Sequence, residues 1–278
     1  MLIRRIAKLA GASVPPIVSA IRLSGVITAQ GTARRGLSME HLAEPIERAF
    51  APPDVSAVVL LVNSPGGSPV QSSLIAGRIR ALSQEKSVPV LAFVEDVAAS
   101  GGYWLACAAD EIVADPASIV GSIGVVSAGF GFTDLIAKIG VERRVHTSGT
   151  SKAMLDPFRP ERPDDVAHLE ALQAEVHEGF KQWVRQRRGA RLEGKDEAEL
   201  FNGAFWSGAR ALELGLVDRL GDVRSVMRER FGEKLRIHVV NPTKRPGIGR
   251  LIGLDTATLA EGALDLASER TAFSRFGL

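Results

Sequence analysis

Short apolar runs rich in β-branched residues recur along the first half of the chain: IVSAIRLSGVI at 17–27, VSAVVLLVN at 55–63, VPVLAFV at 88–94, EIVAD at 111–115 and GVERRVHT at 140–147. Gly, Pro, Asp or Asn bounds them, the pattern of a strand. Between them lie helical patterns, SMEHLAEPIERAFA at 38–51 and SPVQSSLIAGRIRALSQEK at 68–86. Strands alternating with helices predict an α/β fold with a parallel sheet and right-handed crossovers.

The clearest helix begins at Pro163, where Val166, Leu169, Leu172, Val176, Phe180 and Trp183 recur every three or four residues. Acidic residues open this helix, arginines close it and Gly189 follows, so both ends suit the helix dipole. Residues 116–133 carry no charge and approach the length of a membrane span. Their glycines and serines make a poor lipid-facing helix, and a buried strand with a glycine loop is the reading adopted. The first residues, with Leu2, Ile3, Ile6 and Leu9 set against Arg4, Arg5 and Lys8, suit either a frayed tail or a short amphipathic helix in peripheral contact with a membrane. No secretory signal is readable, so a cytoplasmic location is expected, with peripheral attachment at the inner membrane as its variant.

Composition narrows the function. Of 278 residues, 45% are hydrophobic and 24% charged, enough to bury a core without disulfides. Lysines and arginines number 34 against 32 acids, for a net charge of +2, which leaves no global field to gather nucleic acid. The single cysteine, Cys107, lies in an apolar run and reads as core. There is no Walker motif, no His and Cys spacing for zinc and no sign of a cofactor. With no internal repeat, the expected organisation is an N-terminal tail (1–16), an α/β core (17–162), a helical extension completing the same domain (163–240) and a mobile C-terminal tail (241–278).

One stretch asks for chemistry. In FVEDVAASGGYWLACAADEI, Ser100 stands where the chain turns from a strand through EDVAAS into a helix, and the N-terminus of a helix carries unpaired N–H groups. A second turn, NSPGG, follows the strand at 55–63, and Gly66 and Gly67 let backbone amides approach a ligand. Both turns fall at strand C-termini, which share one edge of a parallel sheet. A serine beside free amides is the raw material of a nucleophile with an oxyanion hole. Such a serine needs a base. None of His41, His146, His168, His177 and His238 sits in a motif that aims it at Ser100, and solvated helix faces are their plain reading. A lysine can serve if burial favours its neutral form, and Lys152 sits among small residues and Met154, Leu155 and Phe158.

In this order, LLVNSPGGSPVQSS, VAASGGYWLACAAD, VGSIGVV, GTSKAMLDPFRP and FWSGARALELGLVDRLG resemble the signal peptide peptidase A group of serine peptidases, family S49, from about Ile17 to about Gly232. The resemblance implies a ClpP/crotonase-like fold of repeated β-β-α units with a helical C-terminal extension. It implies Ser100 as nucleophile, Lys152 as general base, Ser122 as the residue holding the lysine amine, and the amides of Gly67 and Gly101 as oxyanion donors. It implies a peptide or unfolded-protein substrate, no metal or cofactor, and a homo-oligomeric ring in which neighbouring protomers supply serine and lysine to one site. Many members carry a membrane-spanning helix before the first strand, and here the strand comes almost at once.

Taken singly, each motif has an ordinary structural use: Ser-Gly-Gly as a helix cap, Ser-Pro-Gly-Gly as a turn, the lysine as a solvated side chain. Two other classes stay open. An enoyl-CoA hydratase or isomerase would use the paired amides on a thioester enolate and need a carboxylate such as Glu95 or Asp96 at the reaction centre. An inactive scaffold ring would need neither Ser100 nor Lys152.

Overall fold

The computed structural model describes residues 15–28, 36–240, 267 and 269–278. The N-terminal helix considered above and residues 241–266 lie outside them.

The alternating pattern builds the expected layers. Strands β1 (Ile17–Ser24), β2 (Val55–Ser64) and β3 (Val90–Ala99) pair in parallel, and helices α1 (Met39–Phe50) and α2 (Pro69–Lys86) connect them. β2 reads as a continuous apolar run because it is covered on both sides. Val58, Leu60 and Val62 enter one core with Ile46, Ile75 and Tyr103, while Ala57, Val59 and Leu61 enter a second with Val226 and Met227. Each fully buried aliphatic of this kind contributes about 1.5–3 kcal/mol. Ser68 caps α2, its hydroxyl accepting the N–H of Gln71 at 3.4 Å, and Pro69 supplies the first helical position.

β3 is longer than its apolar run. The residues read as a turn, Glu95 to Ala99, stay in the strand because β3 changes partner midway. Leu91–Val94 pair with β4 (Glu111–Ala114), and Val97–Ala99 pair with β5 (Ile119–Gly121). The polar step between them is held by Arg22, which ion-pairs with Glu95 at 2.6 Å, and by Asn63, which donates to Asp96 at 2.6 Å.

The extension is not purely helical. Helix α5 (Pro163–Arg188), which follows the short α4 (Thr133–Lys138), has the expected ends, but Leu172 is exposed and the buried side chains are Asp165, Phe180, Val184 and Arg188. Its second half docks on α3 (Gly101–Ala106), where Phe180 stacks on Trp104 at 4.8 Å and Trp183 donates to the Trp104 carbonyl at 3.0 Å. Beyond it, β6 (Phe205–Ser207) pairs antiparallel with β5, β7 (Arg219–Leu220) pairs with β4, and β8 (Arg236–Val240) pairs with β1. These strands are two to five residues long, too short to show a period, and only the sheet identifies them. Residues 140–147 form no strand: they are mostly exposed and meet no sheet edge among the described residues. Of the expected C-terminal tail, residues 269–274 are helical, and Phe276 is buried against Val97 and Ala99.

Candidate active site

Three strands end together. β2 runs into Pro65-Gly66-Gly67, β3 into Ser100 and β5 into Ser122, with Ser64 opposite Ala98 and Ala99 opposite Gly121. Ser100 turns the chain from β3 directly into α3 with φ 53° and ψ −122°. A non-glycine residue held there stores about 1–3 kcal/mol of backbone strain. Two bonds hold it: the Ser100 N–H donates to the Gly121 carbonyl at 2.8 Å, and the Trp104 N–H donates to the Ser100 carbonyl at 3.0 Å.

A capping serine would turn its hydroxyl back onto the helix, as Ser38, Ser68 and Ser207 do. Ser100 occupies the cap position of α3 without a side-chain capping bond, which leaves its Oγ available on the cleft side.

The glycines are there because nothing larger fits. Gly66 has φ +103°, and a Cβ on it would lie 2.8 Å from both the Ala99 carbonyl oxygen and the Ser100 Cβ. Gly67 has φ +140°, and its Cβ would fall 2.0 Å from the Ile27 carbonyl oxygen. That closeness is a short parallel bridge, in which Ile27 N–H donates to Gly66 O and Ser68 N–H donates to Ile27 O, each at 2.8 Å. Since groups alternate along an extended chain, the Gly67 N–H points away from Ile27. The Gly101 Cβ position is 3.3 Å from the Gly67 nitrogen, so the two amides are neighbours, and neither donates to an acceptor among the described residues. Two unpaired N–H groups flanking a free hydroxyl can hold an oxyanion formed by its attack.

These groups open into a cleft of about 650 Å³, lined among others by Gly67, Ser100, Ser122, His177, Asn202 and Arg275. A narrower apolar recess beside Ser100 is walled by Trp104, Val125, Val176 and Phe180. Ser122 has φ +54°, is 9% exposed, and is fixed by its N–H donating to the Ala204 carbonyl at 2.6 Å. His177 is not on a solvated helix face: it is half-buried, and its Nε2 lies 3.1 Å from the Ile123 carbonyl oxygen. Lying three residues before the buried Phe180, it shares the docked face of α5, and that spacing was the available signal. Nothing local in the sequence marked Asn202 or Arg275.

Lys152 stands apart. It lies on an exposed turn and is absent from the cleft lining, so the described residues of the chain do not give it the desolvated setting expected. The excursion that carries it, residues 125–162, displays Val126, Phe130, Leu135 and Ile139, each at least half exposed. Glu95 and Asp96 do not line the cleft and are engaged by Arg22 and Asn63. Cys107 is buried, and desolvation pushes its thiol up to about 12, so it is core rather than nucleophile. Among the described residues no group of three His, Cys, Asp or Glu could hold a metal ion.

Residues 82–234 match Peptidase family S49. Over 273 residues, 94% of the chain, the sequence is 48% identical to a Brucella abortus protein named Na(+)/H(+) antiporter NhaA, of which it spans 37%. It is 32% identical over 201 residues to the chloroplastic serine protease SPPA of Arabidopsis thaliana, covering 72% of this chain and 29% of that one. The chain thus spans about a third of these relatives' length. Among the described residues no helix is long and apolar enough to cross a membrane. The fold is shared with the 1510-N membrane-bound stomatin-specific protease, solved as a mutant in complex with a substrate peptide, at TM-score 0.51 and 14% identity, covering 84% of this chain and 95% of that one.

Proposed function

The chain belongs to peptidase family S49, and on that basis we propose that it is a serine endopeptidase in which Ser100 is the nucleophile and Lys152 the general base. The observation that carries this reading is the uncapped Ser100 hydroxyl, held on a strained strand-to-helix turn between the free amides of Gly67 and Gly101.

The substrate is a peptide or an unfolded protein segment lying extended in the cleft. Ser100 Oγ attacks the scissile carbonyl carbon while its proton passes to Lys152 Nζ. The carbonyl oxygen becomes an oxyanion that accepts from the Gly67 and Gly101 amides. Collapse of this intermediate breaks the C–N bond, the lysine returns the proton to the leaving amine, and an ester to Ser100 remains. Water then gives its proton to the lysine and attacks the ester, releasing the new carboxyl terminus and restoring the serine. Ser122, on the loop bonded to the Ser100 strand, orients the lysine amine.

Lys152 reaches the site from a neighbouring protomer. Its exposed position and the uncovered apolar side chains around it support a homo-oligomeric ring with shared sites. We assign residues 17–162 and 163–240 to one domain, since β6, β7 and β8 complete the sheet begun by β1 to β5. The acyl-CoA alternative is weaker, because neither carboxylate it needs lines the cleft.

The test is titration with a fluorophosphonate followed by peptide mapping. One equivalent of label on Ser100, absent from Ser100→Ala, is expected. A protein that stays unlabelled while assembled would overturn the reading.

A further inference from the structure

One residue near the C-terminal end, Arg275, lines the cleft. Phe276 is 7% exposed and packs on Val97 and Ala99, which flank the core residue Ala98 at the end of β3 before Ser100. Its ring meets Phe205 of β6 edge-on at 5.0 Å, and Phe273 and Ile119 close around it. The backbone is tied into a turn, with Phe276 N–H donating to Phe273 O at 2.9 Å. The anchor therefore fixes where the preceding residue sits, and Arg275 lines the same cleft as Ser100, Ser122 and His177.

Arg275 differs from most arginines of this chain. Arg185, Arg188 and Arg210 each engage carboxylates. Arg275 is exposed, and among the described residues no carboxylate pairs with it; its one recorded contact is the Phe276 ring, 5.9 Å from the guanidinium carbon. Among the described residues lining the cleft it is also the sole lysine, arginine, aspartate or glutamate. A planar guanidinium with free donors matches a carboxylate in a two-bond fork. Held at the wall of a cleft that otherwise offers hydroxyls, amides and one imidazole, it biases what can bind.

We infer that Arg275 is a specificity-determining residue that receives a carboxylate of the bound peptide, either an aspartate or glutamate side chain or a free C-terminus. This rests on the peptidase reading for the identity of the ligand. The residue acts on binding and takes no part in the bond-breaking steps.

The experiment uses the full chain carrying Ser100→Ala, so that binding is read without turnover. Fluorescein peptides are compared in matched pairs, glutamate against glutamine scanned along the sequence, and free C-terminus against amide, at low and high salt. A preference of roughly two- to fivefold for the carboxylate member is expected, shrinking with salt, as for an exposed charge pair. The pair that shows it identifies the source of the carboxylate. Adding Arg275→Ala should abolish the preference, Arg275→Glu should invert it in favour of the neutral member of the pair, and Arg275→Lys should restore part of it. An unchanged preference in Arg275→Glu, or none in the parent, overturns the inference. Kinetics on the unsubstituted chain separate the two readings. Turnover with no carboxylate preference sinks the role of Arg275 alone. Carboxylate-dependent binding with neither turnover nor fluorophosphonate labelling sinks the peptidase and leaves a carboxylate site.

Discussion

The amide of Ser100 donates to the carbonyl of Gly121 at 2.8 Å. This bond ties the residue that turns β3 into α3 to the residue immediately before Ser122, so Ser100 and Ser122 are positioned by one strand pair. The Ser100 main chain is structural, whereas its hydroxyl makes no hydrogen bond among the described residues. Ser100→Ala should therefore abolish peptide cleavage and labelling with little change in stability. Ser100→Gly should be equally inactive yet about 1 kcal/mol more stable than the alanine variant, because glycine adopts φ 53° without a Cβ penalty. Urea denaturation of both variants checks the ranking. A less stable glycine variant would mean that the turn is not strained.

Gly67→Ala places a Cβ 2.0 Å from the Ile27 carbonyl and must push the bridge apart. The Gly67 amide, which lines the cleft, moves with it. Loss of one well-placed oxyanion donor costs about 10²–10³ in kcat. Single-turnover kinetics should show that loss in the acylation step, with substrate affinity changed far less. Gly77→Ala is the matched control, since its Cβ meets nothing within 4 Å.

Lys152→Arg should be as inactive as Lys152→Ala, because a guanidinium stays protonated and cannot take the serine proton. Mixing Ser100→Ala with Lys152→Ala protein under conditions of subunit exchange should restore partial activity, since some interfaces pair an intact serine with an intact lysine. If native mass spectrometry shows exchange and activity never returns, the shared-site arrangement is wrong.

Arg188 and Asp218 form a buried pair with side chains 2% and 13% exposed, closed by two bonds of 2.9 and 3.0 Å, and Arg191 joins them. Burial alone would raise the Asp218 carboxyl, but its bonds to Arg188 and the Ile112 N–H outweigh that and hold it below its ordinary value. The pair's contribution is thus fully present above the unfolded carboxylate pKa of about 3.9 and is lost as pH falls through the lowered folded value. Asp218→Ala should cost about 3–5 kcal/mol by leaving a buried guanidinium unpaired. Asp218→Asn should flatten the acid limb of a thermal-stability profile, and an unaltered limb would place that titration elsewhere.

The sequence by itself determined the elements whose period or ends are strong. The β-branched runs at 17–27, 55–63 and 88–94 each hold a strand, because so apolar a stretch is stable only inside a sheet covered on both faces. Pro163 and Gly189 bracket α5 because helix ends are set by local backbone chemistry. The Ser-Gly-Gly and Pro-Gly-Gly turns were legible for a similar reason: positive φ and close backbone approach demand glycine, and that demand is written in the chain.

Only the tertiary structure decided the rest. Whether Glu95 to Ala99 turn or continue depends on β4 and β5 being offered in succession as partners, which no local pattern records. The segment at 140–147 has the composition of a strand and pairs with no edge among the described residues, so its propensity goes unused. His177, Asn202 and Arg275 reach the Ser100 cleft from 77 or more positions away in sequence, brought there by the docking of Phe180 on Trp104 and of Phe276 on β3. Lys152 shows the same dependence in reverse: its motif is local and readable, but its exposure and its absence from the Ser100 cleft appear only in the folded chain. Backbone conformation is dictated by neighbours in sequence, whereas the company a side chain keeps is dictated by packing.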